Sequence, residues 1–343
     1  MHAGAIGKSW PVPILAPEHD FAHPVEPDSA WSESYYFNAY DPGSDSGFFT
    51  RIGVRPNEGT MDVGFSAWLP GGELAEYRHV VTQREMVGPP LVVGGVRYEL
   101  LDPMKSWRIV ADVEAPARAC RRGGEPTHSV HLVVDVRFDA VSPAVGTDGQ
   151  RSGAPHSEEA SAATGTTGKG HLEQAGRWSG SMTIDGATHA WGDAFGNRDR
   201  SWGPRRWGGP SMWRWFSINL GESMHLGGIR LGTSAGDLHR GWVLKDAQVT
   251  SIKEWRLRTE LADDGLTQRV VHAVVVDKRD RTFALTGEVQ RVADIGRAGG
   301  TVVNEGLTRW TYRADDGSTL SGHGIAEYLH QLDESGKPAV PVA

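Results

Sequence analysis

From residue 47 onwards apolar and polar positions alternate with a period of two. Phe48, Thr50, Ile52 and Val54 share one parity, and beyond the turn at Asn57-Glu58-Gly59 a second run puts Met61, Val63, Phe65, Ala67 and Leu69 on one face. Two such runs around a short glycine-containing turn predict a hairpin. An aromatic run from Trp31 to Tyr40 predicts the first strand, and further strands are expected at Tyr77–Arg84, Leu91–Leu101, Trp107–Glu114 and Ser129–Ala140. The pattern resumes at His171–Ile184, His189–Phe195, Trp213–Leu220, Met224–Leu231, Gly241–Leu244, Ala247–Leu261, Arg269–Asp277, Arg281–Val289, Gly306–Arg313 and Leu320–Tyr328. Asp185-Gly186, Asp263-Asp264-Gly265 and Asp315-Asp316-Gly317 supply hairpin turns. Nowhere does a helical period persist for the roughly ten residues that a stable helix needs.

Between these two series the pattern disappears. Residues 146–170 are rich in Gly, Ser, Ala and Thr and hold almost nothing apolar, so they cannot bury enough surface to offset the entropy of ordering them. The expected division is an extended arm over 1–30, a barrel over 31–145, a disordered linker or loop over 146–170, a second barrel over 171–332 and a tail over 333–343. Two successive antiparallel up-and-down barrels are the simplest all-β arrangement that hides so many strand edges. The 44 glycines and 19 prolines, which follow no period, suit the many turns this requires.

Charge and composition narrow the chemistry. A formal charge of −8, a pI near 6.0 and no basic face argue against nucleic acid as a partner. No segment approaches the roughly 18 apolar residues of a membrane span, and the first residues lack a basic start followed by an apolar run. The expectation is a cytoplasmic protein without stable membrane insertion. The single cysteine, Cys120, excludes an internal disulfide and a multi-thiolate metal site; neighbouring arginines could lower its pKa, but it has the marks of an incidental thiol. His171-Leu172-Glu173 begins like a zinc deaminase signature and lacks the cysteines to complete it. Gly227-Gly228-Ile229-Arg230-Leu231-Gly232 lacks the spacing of a dinucleotide loop. No metal and no cofactor are expected.

One stretch is chemically dense. Residues 196–215 hold one acid, Asp199, among five arginines, together with four of the chain's 13 tryptophans. Such a segment can line a pocket for a large apolar ligand with the carboxyl group as its one proton donor, or Asp199 can be a latch salt-bridged to Arg198, Arg200, Arg205 or Arg206. In an extended segment Asn197, Asp199 and Ser201 share one side, and Arg198, Arg200 and Trp202 the other. Asp199 can then face a pocket while the arginines stay outside it. Earlier in the chain Glu33 and Tyr36 are candidate pocket residues.

These residues carry a family resemblance. Asn197-Arg198-Asp199-Arg200-Ser201-Trp202-Gly203, with His171 in Gly170-His171-Leu172-Glu173-Gln174 before it and Gly322-His323-Gly324-Ile325-Ala326-Glu327-Tyr328 after it, resembles the carotenoid 1,2-hydratase (hydroxyneurosporene synthase) and AttH-like superfamily. Trp31-x-Glu33-x-Tyr35 and Arg198–Arg205 look like an uncharacterised bacterial branch of it. The resemblance implies two lipocalin-like β-barrel domains around an apolar cavity. It also implies an aspartate ahead of a Trp-Gly pair that protonates a carbon–carbon double bond, here Asp199 before Trp202-Gly203, assisted by an upstream histidine and tryptophan, His171 and Trp178. Asn197 and Arg198 stand where the hydratases have Tyr and His, and Arg200 replaces a further His; arginines beside Asp199 favour its ionised form.

Two functional classes follow. In the first the chain is a cofactor-independent hydratase, isomerase or cyclase that binds an apolar isoprenoid, steroid or related lipid in a barrel cavity, with Asp199 and His171 catalytic. Trp178, Asn197, Trp202, Trp213, Trp215, Tyr36, Glu327 and His323 then contact substrate, and the tryptophan faces stabilise developing positive charge. In the second it is a lipocalin-type carrier that leaves its ligand unchanged. A third arrangement, with both barrels filled by side chains, would leave only surface interactions.

Overall fold

The computed structural model describes residues 12–149, 168–206, 209–233, 236–296, 300–314 and 316–342. Apart from one 3-10 turn at Pro17–Asp20, its regular structure is strand, and no helix long and apolar enough to cross a membrane occurs among the described residues. In chain order the strands are β1 (Trp31–Asp41), β2 (Ser46–Arg55), β3 (Thr60–Leu69), β4 (Glu73–Thr82), β5 (Leu91–Val93), β6 (Val96–Asp102), β7 (Ser106–Ala119), β8 (His128–Ala140), β9 (Val145–Thr147), β10 (Gly170–Ile184) and β11 (Ala187–Pro204). They continue with β12 (Met212–Leu220), β13 (Met224–Thr233), β14 (Gly236–Lys245), β15 (Gln248–Leu261), β16 (Gln268–Asp277), β17 (Thr282–Asp294), β18 (Thr301–Arg313) and β19 (Thr319–Gln331). The expected strand at Leu91–Leu101 is broken in two by the turn at Gly94-Gly95, where Gly94 takes a φ of 57°.

The all-β, double lipocalin-like architecture holds. β12 to β19 close into an eight-stranded antiparallel barrel in simple sequence order. The first sheet runs β4-β3-β2-β1-β11-β10-β8-β7-β6-β5 and curls back on itself where β4 pairs with β7. The boundary differs from the one expected. β10 and β11, placed by sequence pattern at the start of the C-terminal barrel, complete the first one, so the sheets divide the chain between Pro204 and Met212 and not at residue 170. The polar stretch is a connection within one sheet, between β9 and β10; residues 150–167 of the expected linker lie outside the described residues.

Each barrel is filled by its inward parity. Phe37, Phe48, Tyr98, Trp107, Phe138 and Trp178 interlock in the first, mostly edge to face, and Phe216, Trp255, Phe283, Trp310 and Tyr328 occupy the second. The candidate chemistry lies between the barrels and not inside either. A third apolar cluster there joins Phe49 and Trp68 of the first sheet to Trp213, Trp215, Leu231, Val303, Ile325 and Leu329 of the second. The expectation of a surface arm also changes over its described part, because the 3-10 turn buries Asp20 completely against Arg198 of β11.

Candidate functional site

Register places the site. Across β1, β11 and β10 the residues Tyr36, Asp199 and Glu173 lie side by side, with Ser34, Ser201 and His171 forming the next row. Across β12, β19 and β18 the matching row is Trp215, Glu327 and Glu305. Alternation along each strand turns these residues out of their own barrels, so the rows face one another across the seam. Tyr36 sets its ring edge against Trp215, with centroids 5.6 Å apart, and its hydroxyl donates to Glu305 Oε1 at 3.4 Å. Trp213 Nε1 donates to Glu327. Glu305 and Glu327 are hydrogen-bonded to each other, which requires one of them to carry a proton, and burial raises Glu327 above the usual carboxylate range.

The chemical centre is a trio. His171 Nε2 and Asp199 Oδ2 are 2.5 Å apart, and the ring nitrogen is 3.9 Å from Glu173 Oε1. Burial opposes charge on the imidazole, but the ring is 37% exposed, and the carboxylates of Asp199 and Glu173 outweigh that loss and raise it to about 9. The proton at neutral pH thus sits on His171. Glu173 is held on both oxygens: Trp215 Nε1 donates to Oε1 at 2.7 Å and Trp242 Nε1 to Oε2 at 3.1 Å. Burial pushes its carboxyl up to about 7, with His171 and the two indole donors opposing. A group poised near 7 beside an imidazolium is an acid–base pair in waiting.

The parity argument for the arginines holds. Arg198 turns away from the seam to Asp20, with Nη1 2.5 Å from Oδ1, and Arg200 donates to Glu33 Oε2 at 2.5 Å and to the carbonyls of His19 and Phe21. Asp199 pairs with His171, and Arg205, bonded to Ser201 Oγ at 3.0 Å, acts on both through its charge. Glu33 faces that opposite side with His23 and Arg200, outside the seam.

The predicted binding residues separate into two groups. Asn197, Tyr36, Trp213, Trp215 and Glu327 come together with Asp199 and His171. Trp178 does not, being packed on Phe37, Phe48 and Phe138 inside the first barrel. Trp202 lies on the arginine side, stacked on His23 at 4.0 Å, and His323 sits against Tyr40 at 4.8 Å, at the far end of the seam. Burial lowers His323 to about 4, so its ring is neutral. Trp242 is not singled out from sequence, and Glu173 enters there only within His171-Leu172-Glu173, without a site role; its parity with His171, two residues before it, was the available signal. Cys120 is half-buried, and burial pushes its thiol up to about 12 despite its arginine neighbours.

His171, Glu173 and Asp199 offer one nitrogen and two carboxylate oxygens within 4.8 Å of one another, a donor set that a divalent cation could use. In the present arrangement a proton bridges two of those donors, and a cation would have to displace it.

Gly227 of β13 makes room for this trio. A Cβ there would stand 2.6 Å from Glu173 Oε2 and 2.9 Å from Trp242 Nε1. Gly227→Ala is therefore expected to push the two apart and to cost about 1.5–3 kcal/mol, the worth of a hydrogen bond to a charged group. Thermal melts and the Trp242 fluorescence environment test it; a silent substitution would show that the contact holds nothing in place.

A family model described as Domain of unknown function (DUF7064) matches residues 16–332. No curated protein matches the sequence. Among solved structures, an AttH-like protein of Nitrosomonas europaea is 15% identical with a TM-score of 0.56, over 96% of this chain and 99% of that one. Kievitone hydratase of Nectria haematococca is 14% identical with a TM-score of 0.56, over 93% of both chains. CghA, solved with Sch210972, is 12% identical with a TM-score of 0.56, over 88% of both. The resemblance to the AttH-like superfamily holds at the level of fold.

Proposed function

The chain belongs to the DUF7064 family, and we propose that it binds an apolar isoprenoid, steroid or related lipid between its barrels and transforms it by proton-initiated hydration, isomerisation or cyclisation. The observation that carries this is the His171–Asp199 pair, part-exposed beside a buried Glu173 that two indoles hold. That kievitone hydratase shares the fold supports the reading.

The residues divide the work as follows. His171, charged by Asp199, donates a proton to the double bond. Trp213 and Trp215 offer π-faces to the cationic carbon, worth about 1–2 kcal/mol each where water is excluded. Glu173 takes a proton from an attacking water in hydration, or from a neighbouring carbon in isomerisation and cyclisation, so protons balance over the cycle. An imidazolium raised to about 9 is a weak acid. The reading therefore favours a double bond polarised by conjugation over an isolated one.

Native mass spectrometry of protein purified from its own host, followed by extraction of the ligand and its incubation with fresh protein, tests binding and turnover together. Turnover is expected to follow a bell-shaped pH profile. It rises as Glu173 loses its proton near 7 and falls as His171 loses its proton near 9. An extracted lipid returned unchanged at every pH would leave a carrier in place of an enzyme.

A further inference from the structure

Beyond Asp199 the seam continues as a strip of buried polar side chains. Two residues on from the site lie Asn197 on β11, Asn38 on β1 and Ser217 on β12; two further lie Phe195, Tyr40 and Asn219, with His225 of β13 opposite Asn219 in register. Asn38, Asn197, Ser217, Asn219 and His225 are each at most 2% exposed. The backbone N–H of Asn197 and the Ser217 hydroxyl donate to Asn38 Oδ1 at 3.1 and 3.4 Å, and His225 Nδ1 donates to Asn219 Oδ1 at 2.9 Å. Both polar atoms of the Asn197 side chain, Asn219 Nδ2 and His225 Nε2 have no hydrogen-bond partner among the described residues.

A buried polar atom left unpaired gives up the hydrogen bond it had with water and gains none in return. Four of them in one strip would consume much of the small margin that stabilises a folded chain. Buried groups of this kind are ordinarily paired by bound water. The strip also leads somewhere. Its outer end, at Asn219 and Phe195, lines a surface pocket of about 450 Å³ shared with Tyr40, Arg309 and His323. Side chains so thoroughly enclosed leave no room for a lipid, and water is the ordinary partner of such atoms.

We propose that this strip binds a file of water molecules running from the pocket at Tyr40 and His323 along Asn219, His225 and Asn197 to Asp199. Resting on the hydration reading above, the file has a purpose. Each turnover consumes one water, whose oxygen bonds to the cationic carbon while its released proton passes to Glu173, and the file replaces it without opening the apolar wall of the seam.

The test needs no substrate. Water-oxygen magnetic relaxation dispersion on the wild-type chain, with a crystal structure at atomic resolution, is expected to show long-lived waters bonded to Asn197 and His225 Nε2. Asn197→Leu, near in size and without polar atoms, is expected to lose those waters and to melt lower. His225→Phe keeps a ring against Phe195 and removes Nε2 together with the Nδ1 donor to Asn219, so loss of the water at that ring reports on the file if the first variant does not fold. Absence of long-lived water, with Asn197→Leu melting higher because two unpaired atoms are gone, overturns the proposal. Because occupancy is read without turnover, a wet strip in a protein that transforms nothing would sink only the catalytic reading, and a dry strip in an active enzyme only the file.

Discussion

Asp199→Asn is expected to reduce turnover about 10²–10⁴-fold, the usual worth of a positioned acid, while the ligand still binds. The side chain keeps its size and a hydrogen bond, but it no longer carries the charge that holds the proton on His171. Burial is then opposed mainly by Glu173, and the imidazole is expected to fall from about 9 to the ordinary histidine value of about 6.5 or below. Near pH 8 the wild-type ring is charged and the variant ring neutral, so the proposed acid is lost while the surrounding side chains stay in place. Retained turnover would mean that some other group supplies the proton.

The second large effect is on stability. Asp20 is wholly buried; it pairs with Arg198, itself 2% exposed, and accepts the Met104 N–H at 2.5 Å. Asp20→Ala leaves a guanidinium enclosed with Gln174, the Met104 sulfur and the Trp107 ring beside it and no counter-charge in place of Asp20, and is expected to cost about 3–5 kcal/mol. Asp28→Ala removes the exposed pair with Arg206 and the Ala30 N–H bond, and is expected to cost far less, because solvent screens an exposed pair. Denaturant titration of the two variants measures the contrast. Equal losses would show that the 17–20 turn is decoration on the first barrel and not part of it.

The period-two pattern located most of the strands, and parity alone put Asp199 on one side and Arg198 and Arg200 on the other. Both inferences use only neighbours along one strand. The domain division failed because a polar stretch without apolar residues reads the same whether it joins two domains or two strands of one sheet. Only the pairing of β11 with β1, far away in sequence, decides between them. Trp178 was misplaced for a related reason: parity shows that a tryptophan shares a face, and not whether that face is interior or seam. The role of Glu173 was not legible because its indole partners lie 42 and 69 residues further on, and nothing near it in the chain announces them.

Proton placement is the claim on which the acid–base account turns, and histidine-labelled NMR of the wild-type chain through pH reads it directly. The account predicts that His171 titrates near 9 and that its resonances move when lipid extracted from the host is added. A His171 that titrates at or below about 6.5, or one blind to the lipid, would contradict it.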